Sequence, residues 1–493
     1  MPEIIPQTRS TVAIYCGNQV AFISNGRKRR RWFCCLIWYG NRANAIDLLV
    51  RKVYNRDMKD VFKEILKEFY ADGVPSTIVP RDVEYYEQPA AATVVKGMRR
   101  TGKTFVTYAR IKELLNSGAA IENIVHLNFE DDRLRNARVE DLKSIAEAHA
   151  ELCPEASKHQ VHYFHDELQN ITGWEAYARR LVDSPRIQLC LTGSSSKLLS
   201  EEIATEMRGR SVPIEVFPLS FSEFLRFNEY YKDVPRDGVY TANDRGVLRN
   251  AMTRYMEVGG FPAVQGRPDR IRIATLQDYV HAVVYRDVLQ RHKVTSVQSL
   301  QYTLDYLLHN FARRTSAHAI SGVLKNLAFP SRREDIASYI AYFKDAYLVY
   351  PVSVLSDSLA VKRVNPDKYY IVDTGLVNAV TTKVDAEKGW KLENLVYLAL
   401  RRGLNKINYY SLEDSKEVDF HVFDHLTKQR RLIQVTWEMD KEGTFDREVS
   451  ALRQARRLTG IENCTIVTWD TEKVLDDGIK VMPIWKWLLE EKS

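Results

Sequence analysis

Residues Gly97–Thr104 (GMRRTGKT) combine glycines, a lysine and a hydroxyl at the spacing G-x-x-x-x-G-K-[ST]. The chemistry needs each type. Glycines let successive backbone N–H groups converge on phosphate oxygens, and the N-terminus of a following helix attracts anions. Lys103 would reach the β and γ phosphates, and the Thr104 hydroxyl would ligate Mg²⁺. Gly97, Thr101, Gly102, Lys103 and Thr104 are therefore the expected nucleotide contacts, with ATP and Mg²⁺ as the ligands.

ATP hydrolysis needs a second strand ending in carboxylates, and Val161–Glu167 (VHYFHDE) provides one, with Asp166 63 residues after Lys103. Asp166 would hold the metal through water, and Glu167 would orient and deprotonate the attacking water. His165 reads as a strand-end histidine rather than a catalytic group. The next strand runs into Thr192–Ser196 (TGSSS), where Ser194 or Thr192 either senses the γ-phosphate or caps the following helix. Arg208 and Arg210 come next. They are either surface ion pairs or a finger presented to a neighbour's phosphate, which would require a homo-oligomer.

The elements that must position these groups follow from apolar periodicity. Strands are predicted at 93–95, 124–129, 161–164 and 187–191, with helices between them, the pattern of a parallel α/β sheet. The phosphate loop falls between the first strand and a helix reaching Leu114. Beyond about 215 the text is helical to about 350, broken at Gly259–Pro262 (GGFP), and strands return between 368 and 469. Three blocks result.

Several further blocks occur in a recognisable order: Asn128–Asp131 (NFED), Asp166–Trp174 (DELQNITGW), Pro218–Phe224 (PLSFSEF), Tyr285–Asp287 (YRD), Val372–Leu376 (VDTGL), Glu393-Asn394 and Glu417–Phe420 (EVDF). With the phosphate loop they make the chain resemble a large prokaryotic family of ATP-binding proteins, in which an AAA-type domain precedes a C-terminal domain of unknown function. The resemblance covers essentially Met58 to the C-terminus. It implies an α/β P-loop NTPase domain over 58–215, a helical lid over 216–295, a winged-helix-like domain over 296–365 and a C-terminal α/β domain over 366–493. That last domain is similar to restriction-endonuclease-like folds, which typically use a helical Glu, a strand Asp and an [ED]-x-K to hold Mg²⁺. Glu393, Asp419 and Gln434–Thr436 (QVT) occupy those positions. The lysine is missing, so an inactive nuclease-like domain is expected, unless a lysine such as Lys441 swings in.

Within the middle block, Ser331–Glu334 (SRRE) reads as a capping box opening a helix with Ile336, Tyr339, Ile340 and Phe343 on one face. Arginines in its first turn suit DNA or an acidic protein. The implied activity is ATP hydrolysis driving a switch or motor that acts on DNA or a protein partner. The alternatives are an ATP-regulated DNA-binding regulator without turnover and an ATP-regulated nuclease.

Composition sets the outer bounds. The 493 residues exceed what one core usually serves. With 45% hydrophobic and 27% charged residues the chain reads as globular, and no apolar run reaches the roughly 20 residues of a membrane span. Six scattered cysteines without a C-x-x-C pair point to a reduced, cytoplasmic protein without structural zinc. The net charge of +7 resides in residues 1–57, where ten Lys/Arg face three Asp/Glu; the other 436 residues hold 61 of each sign. Net basicity therefore gives no reason to assign nucleic acid to the folded body. The basic run at 27–31 and the apolar 32–38 mimic a signal peptide without its cleavage site. Met58, which opens an amphipathic helix, reads as the start of the native protein.

Overall fold

A computed structural model describes residues 57–194, 207, 209–230, 239–330, 332–381, 388–403, 405–413, 416–437 and 444–491, together with the backbone of 4–8, 11–16 and 19–24. The chain forms two compact units, Met1–Asp57 and Met58–Ser493. In the first, β1 (Ile4–Thr8), β2 (Thr11–Cys16) and β3 (Gln19–Ser24) make an antiparallel meander. The basic and apolar runs at 27–38 lie outside the described residues.

The second unit begins with α1 (Met58–Asp72), which buries Val61, Phe62, Ile65 and Leu66. Strands β4 (Ala92–Lys96), β5 (Ile124–Asn128), β6 (Val161–Asp166), β7 (Ile187–Gly193) and β8 (Ser211–Glu215) form a parallel sheet in the order β5-β6-β7-β4-β8. Helices α2 (Lys103–Asn116), α3 (Ser144–Leu152) and α4 (Trp174–Val182) flank it. The predicted strands are all present, and two run on to their functional ends at Asp166 and Gly193. Strand β8 was not anticipated. Pro213 lies within it, and an edge strand tolerates a residue that donates no ladder hydrogen bond. Parallel pairing brings every C-terminal strand end to one edge, with β7 between the phosphate-loop strand β4 and the acidic strand β6.

Beyond the sheet come α5 (Phe221–Phe227), α6 (Ala242–Val258) and α7 (Asp269–Ala282), the last running into a π-helical stretch, Val283–Leu289. Capping boxes Ser220/Glu223 and Thr241/Asp244 start α5 and α6. Next follow α8 (Val297–His309), β9 (Arg314–Thr315), α9 (Ala317–Asn326), α10 (Arg333–Asp345), β10 (Val349–Val352), α11 (Leu359–Val364) and β11 (Asp367–Ile371). Two expectations need correction here. Strands β9 and β10 fall inside the stretch read as helical, because two to four residues are too short to show a period. A boundary at 366 would also cut a sheet, since β11 pairs with β10 and with β9. Helix α10 buries Ile336, Tyr339, Ile340 and Phe343 as predicted. It starts after Arg332 without a side-chain cap, and Ser331 of the expected capping box lies outside the described residues.

Helix α12 (Thr374–Val380) then packs against α6 and α7. Its cap, Asp373, accepts from Leu376 N–H at 3.2 Å and reaches back to Gly260 N–H at 2.6 Å. Gly260 in turn accepts from Leu219 N–H at 2.7 Å, and a Cβ on it would lie 2.4 Å from Leu219 O. The blocks at 218–224, 259–262 and 372–376 thus meet at one joint that has no room for a side chain. The remainder is α13 (Lys388–Arg402), β12 (Asn405–Ser411), β13 (Glu417–Asp424), β14 (Arg430–Val435), α14 (Thr444–Thr459), β15 (Cys464–Thr468), β16 (Lys473–Val474), β17 (Lys480–Pro483) and α15 (Ile484–Glu490). Its mixed sheet has the order β12-β13-β14-β15-β17-β16. One apolar cluster extends from Met98 through the middle helices to Trp485 and Trp487. No helix among the described residues is long and apolar enough to cross a membrane.

Two histidines in the parallel sheet are buried neutral. His165 stacks on Tyr177, with Nε2 3.0 Å from the Tyr177 hydroxyl, and burial holds its pKa down to about 3; burial holds His126 down to about 4. Because both folded values lie below the unfolded one, their contribution to stability is complete above about pH 6.5 and is lost as pH falls toward 4. Unfolding free energies from denaturant titration should therefore drop between pH 7 and pH 4, at up to about 1.4 kcal/mol per pH unit for each group. The slope should be shallower in His165→Phe; an identical slope in that variant counts against this origin.

Candidate nucleotide-binding site

The loop after β4 owes its shape to three positive φ angles: Gly97 at 145°, Arg100 at 70° and Gly102 at 99°. Only glycine fits at 97, where a Cβ would stand 2.2 Å from Val216 O. The buried Lys103 ammonium donates to Gly97 O and Met98 O at 3.2 Å and lies 3.6 Å from Glu167 Oε1. Thr101 donates its hydroxyl to Met98 O at 3.0 Å, bracing the turn.

Across the gap, Thr104 Oγ1 donates to Asp166 Oδ2 at 2.7 Å, and Thr192 Oγ1 donates to the other carboxylate oxygen. Glu167 leaves β6 in a left-handed turn, φ 55°, and its N–H meets Thr192 O at 3.1 Å. Its carboxylate accepts from Ser194 Oγ at 3.0 Å, from Ser194 N–H at 3.3 Å and from Gln169. Burial raises the Asp166 pKa. Burial acts the same way on Glu167, but the charges of Lys103 and Arg99 outweigh it and leave that pKa lowered. An ionised carboxylate, an ammonium and a hydroxyl–carboxylate pair thus converge beside a loop of backbone N–H groups, a donor set that fits a phosphate and a divalent cation.

The residues predicted from the phosphate motif and the acidic strand are all brought together. Ser194 was left between phosphate sensing and helix capping; here its hydroxyl is spent on Glu167. Arg210 is not brought to this site. It precedes β8 at the opposite end of the sheet and pairs with Asp183 at 2.7 Å. Arg208, Ser195 and Ser196 lie outside the described residues.

A model described as an AAA domain matches residues 90–225, and one described as a domain of unknown function (DUF8612) matches 249–388. Uncharacterized protein MJ1544 of Methanocaldococcus jannaschii is 31% identical over 461 residues, 91% of this chain and 99% of that protein. The chain belongs to this family of AAA-domain proteins. An uncharacterized protein of Haemophilus influenzae is 28% identical over 397 residues, covering 80% of this chain and 94% of its own. A DNA replication initiation factor of solved structure is 16% identical, covering 59% of this chain and 95% of its own, with a TM-score of 0.23.

Two arginines of this AAA-domain protein escaped the sequence reading. Arg99, inside the loop, chelates Asp287 of the π-helical stretch at 3.0 and 3.1 Å and also reaches Glu130; Arg291 pairs with Asp287 at 3.1 Å. Arg81 donates to Thr101 O and Phe217 O at 2.8 Å and to both oxygens of Glu223 at 2.8 and 3.2 Å. Glu223 is held ionised: burial opposes this, but Arg81 and neighbouring donors bring its pKa down to about 2. The Tyr285–Asp287 and Pro218–Phe224 blocks were visible as motifs. Arg81 sits in an irregular stretch with no pattern to mark it.

The nuclease-like positions also meet. Glu393 and Asp419 are buried, Asp419 N–H lies 3.3 Å from Gln434 Oε1, and Gln434 donates to Glu448. The expectation of a centre without lysine is corrected. Lys368, on β11, reaches Glu393, Glu417 and Asp419 at 2.9, 2.8 and 2.9 Å. Strand β11 belongs to another sheet, so no sequence motif could announce it. Lys441 lies outside the described residues.

Truncating one partner of a buried ion pair leaves the other charge uncompensated, at a cost of roughly 3–5 kcal/mol. Arg81→Ala should lose about that much in urea unfolding, and Arg81→Ala/Glu223→Gln should recover a large part of it. A double variant no more stable than Arg81→Ala would mean that the pair is not what Arg81 contributes.

Proposed function

We propose that this chain binds Mg·ATP at Gly97–Thr104 and hydrolyses it to drive a conformational switch in the region that follows. The observation that carries this reading is the Thr104–Asp166 contact, with Glu167 ionised beside the Lys103 ammonium. Backbone N–H groups of the loop and the start of α2 would hold the phosphates, and Lys103 would exchange Gly97 O and Met98 O for phosphate oxygens. Thr104 and Asp166 would hold Mg²⁺, which would supply positive charge to the phosphates. Glu167 takes the proton of the attacking water, with Ser194 and Gln169 fixing the carboxylate. Arg210, at the far end of the sheet, serves no phosphate of its own chain in this reading. The path to the rest of the unit is Arg99, which joins the loop to Asp287.

Lys103→Ala should abolish ATP binding in calorimetry. Glu167→Gln should keep ATP bound and lower phosphate release by at least roughly 100-fold, the scale of a lost general base. Undiminished binding in the first variant, or normal turnover in the second, refutes the assignment.

In one form of this reading the partner acted on is DNA, met by exposed arginines around α10, whose first turn also carries Glu334 and Asp335. Arg332 and Arg333 are exposed at the first turn of α10, and Arg363 is exposed on α11 between β10 and β11. Fluorescence anisotropy on duplex DNA should show salt-dependent binding, weakened in Arg332→Ala/Arg333→Ala, with the salt slope reduced by about one per lost phosphate contact. Equal affinity in that variant would direct attention to a protein partner instead.

A further inference from the structure

We propose that Glu393, Glu417 and Asp419 form a cation site that the chain fills itself, with the ammonium of Lys368 standing where a divalent metal would. The C-terminal sheet is then a fastened body, not a cutting one. This does not rest on the nucleotide reading, because nothing of the parallel sheet enters the site.

The geometry is that of an ammonium cage. Lys368 has a 2% exposed side chain, and its ammonium lies 2.8–2.9 Å from three carboxylate oxygens, hydrogen-bonded to those of Glu393 and Asp419 and ion-paired with that of Glu417. A Mg²⁺ ion demands oxygens at about 2.0–2.1 Å, so these carboxylates are spaced for nitrogen. Each carboxylate also has a second partner in the chain. Tyr370 OH donates to Glu393 Oε1 at 2.7 Å, Val435 N–H to Asp419 Oδ2 at 2.9 Å, and Arg314 pairs with Glu417. Lys368 and Arg314 thus answer two of the three carboxylate charges from within the chain. Gln434 is neutral where such centres usually place a carboxylate, and the Glu448 carboxylate beside it is bonded to Gln434 and Arg447. Lys368 lies on β11 and its partners on α13 and β13, so the same contact fastens the β9–β11 sheet to the C-terminal one.

The test is Mn²⁺ titration of the full chain without nucleotide, followed through the EPR signal of the free ion. Wild type should show no Mn²⁺ binding that Asp419→Asn removes. Lys368→Ala should gain one site per chain, at least ten-fold tighter than any Asp419-dependent binding in wild type, and Lys368→Ala/Asp419→Asn should lose it. Should Lys368→Ala not fold, Lys368→Met, which keeps the side-chain volume, carries the same titration. A folded Lys368 variant without a new site overturns the proposal. So does Asp419-dependent Mn²⁺ binding by wild type, or Mn²⁺-dependent cleavage of linear DNA that Asp419→Asn abolishes, and the wild-type measurements decide the matter even where neither variant folds.

Discussion

A phosphate loop built from backbone N–H groups works only while the backbone is held, and here Arg81 holds it from outside. One guanidinium fork spans Thr101 O in the loop, Phe217 O after β8 and the Glu223 carboxylate at the start of α5. Three donors in fixed geometry define three positions at once, which a lysine could not do. Because Glu223 also closes the capping box with Ser220, the loop, the end of the sheet and the first middle helix share one anchor. Losing the arginine would strand a buried carboxylate, so the anchor is held by electrostatic necessity as well as by shape.

From that anchor the connections run outward without a break. Leu219 joins Gly260, Gly260 joins Asp373, and Asp373 caps α12. Arg401 and Arg402 of α13 return to Glu215 on β8 and to Pro218 O. A change at the loop therefore has polar routes into the middle helices and into the C-terminal sheet, and the continuous apolar cluster makes those parts move as packed bodies. Arg99, inside the loop, lies on such a route. Its partner Asp287 sits in a π-helical stretch, a distortion found often at functional sites.

What could be read from sequence was whatever is local along the chain. The phosphate loop, the Asp166–Glu167 pair and the buried face of α10 each lie within one short window, where spacing alone encodes geometry. What stayed hidden depends on pairing between distant segments. Arg81 lies 142 residues from Glu223, and Lys368 lies 51 from Asp419. Strand β11 was assigned to the following domain because its own text cannot say whether it pairs with β10 or with β12. Ser194 stood at the correct strand end, but its direction toward Glu167 depends on β7 lying beside β6, which is a property of sheet order.

Two buried lysines of this chain, Lys103 and Lys368, show how the same residue type takes opposite roles by the strength of its alternatives. Lys103 donates to two neutral carbonyls at 3.2 Å and stands 3.6 Å from one carboxylate. None of these is a close charge-assisted contact, so on the proposed reading an arriving phosphate, with more negative charge, would outcompete them. Lys368 has three carboxylates within 2.9 Å, two of them hydrogen-bonded to it. No incoming anion improves on that, and an incoming metal must first expel a charge that has nowhere else to go. Replaceable partners leave Lys103 able to answer a ligand, whereas saturated ones turn Lys368 into a fastening. The difference lies in the surroundings, and it divides the molecule into a centre suited to exchange and a centre suited to hold.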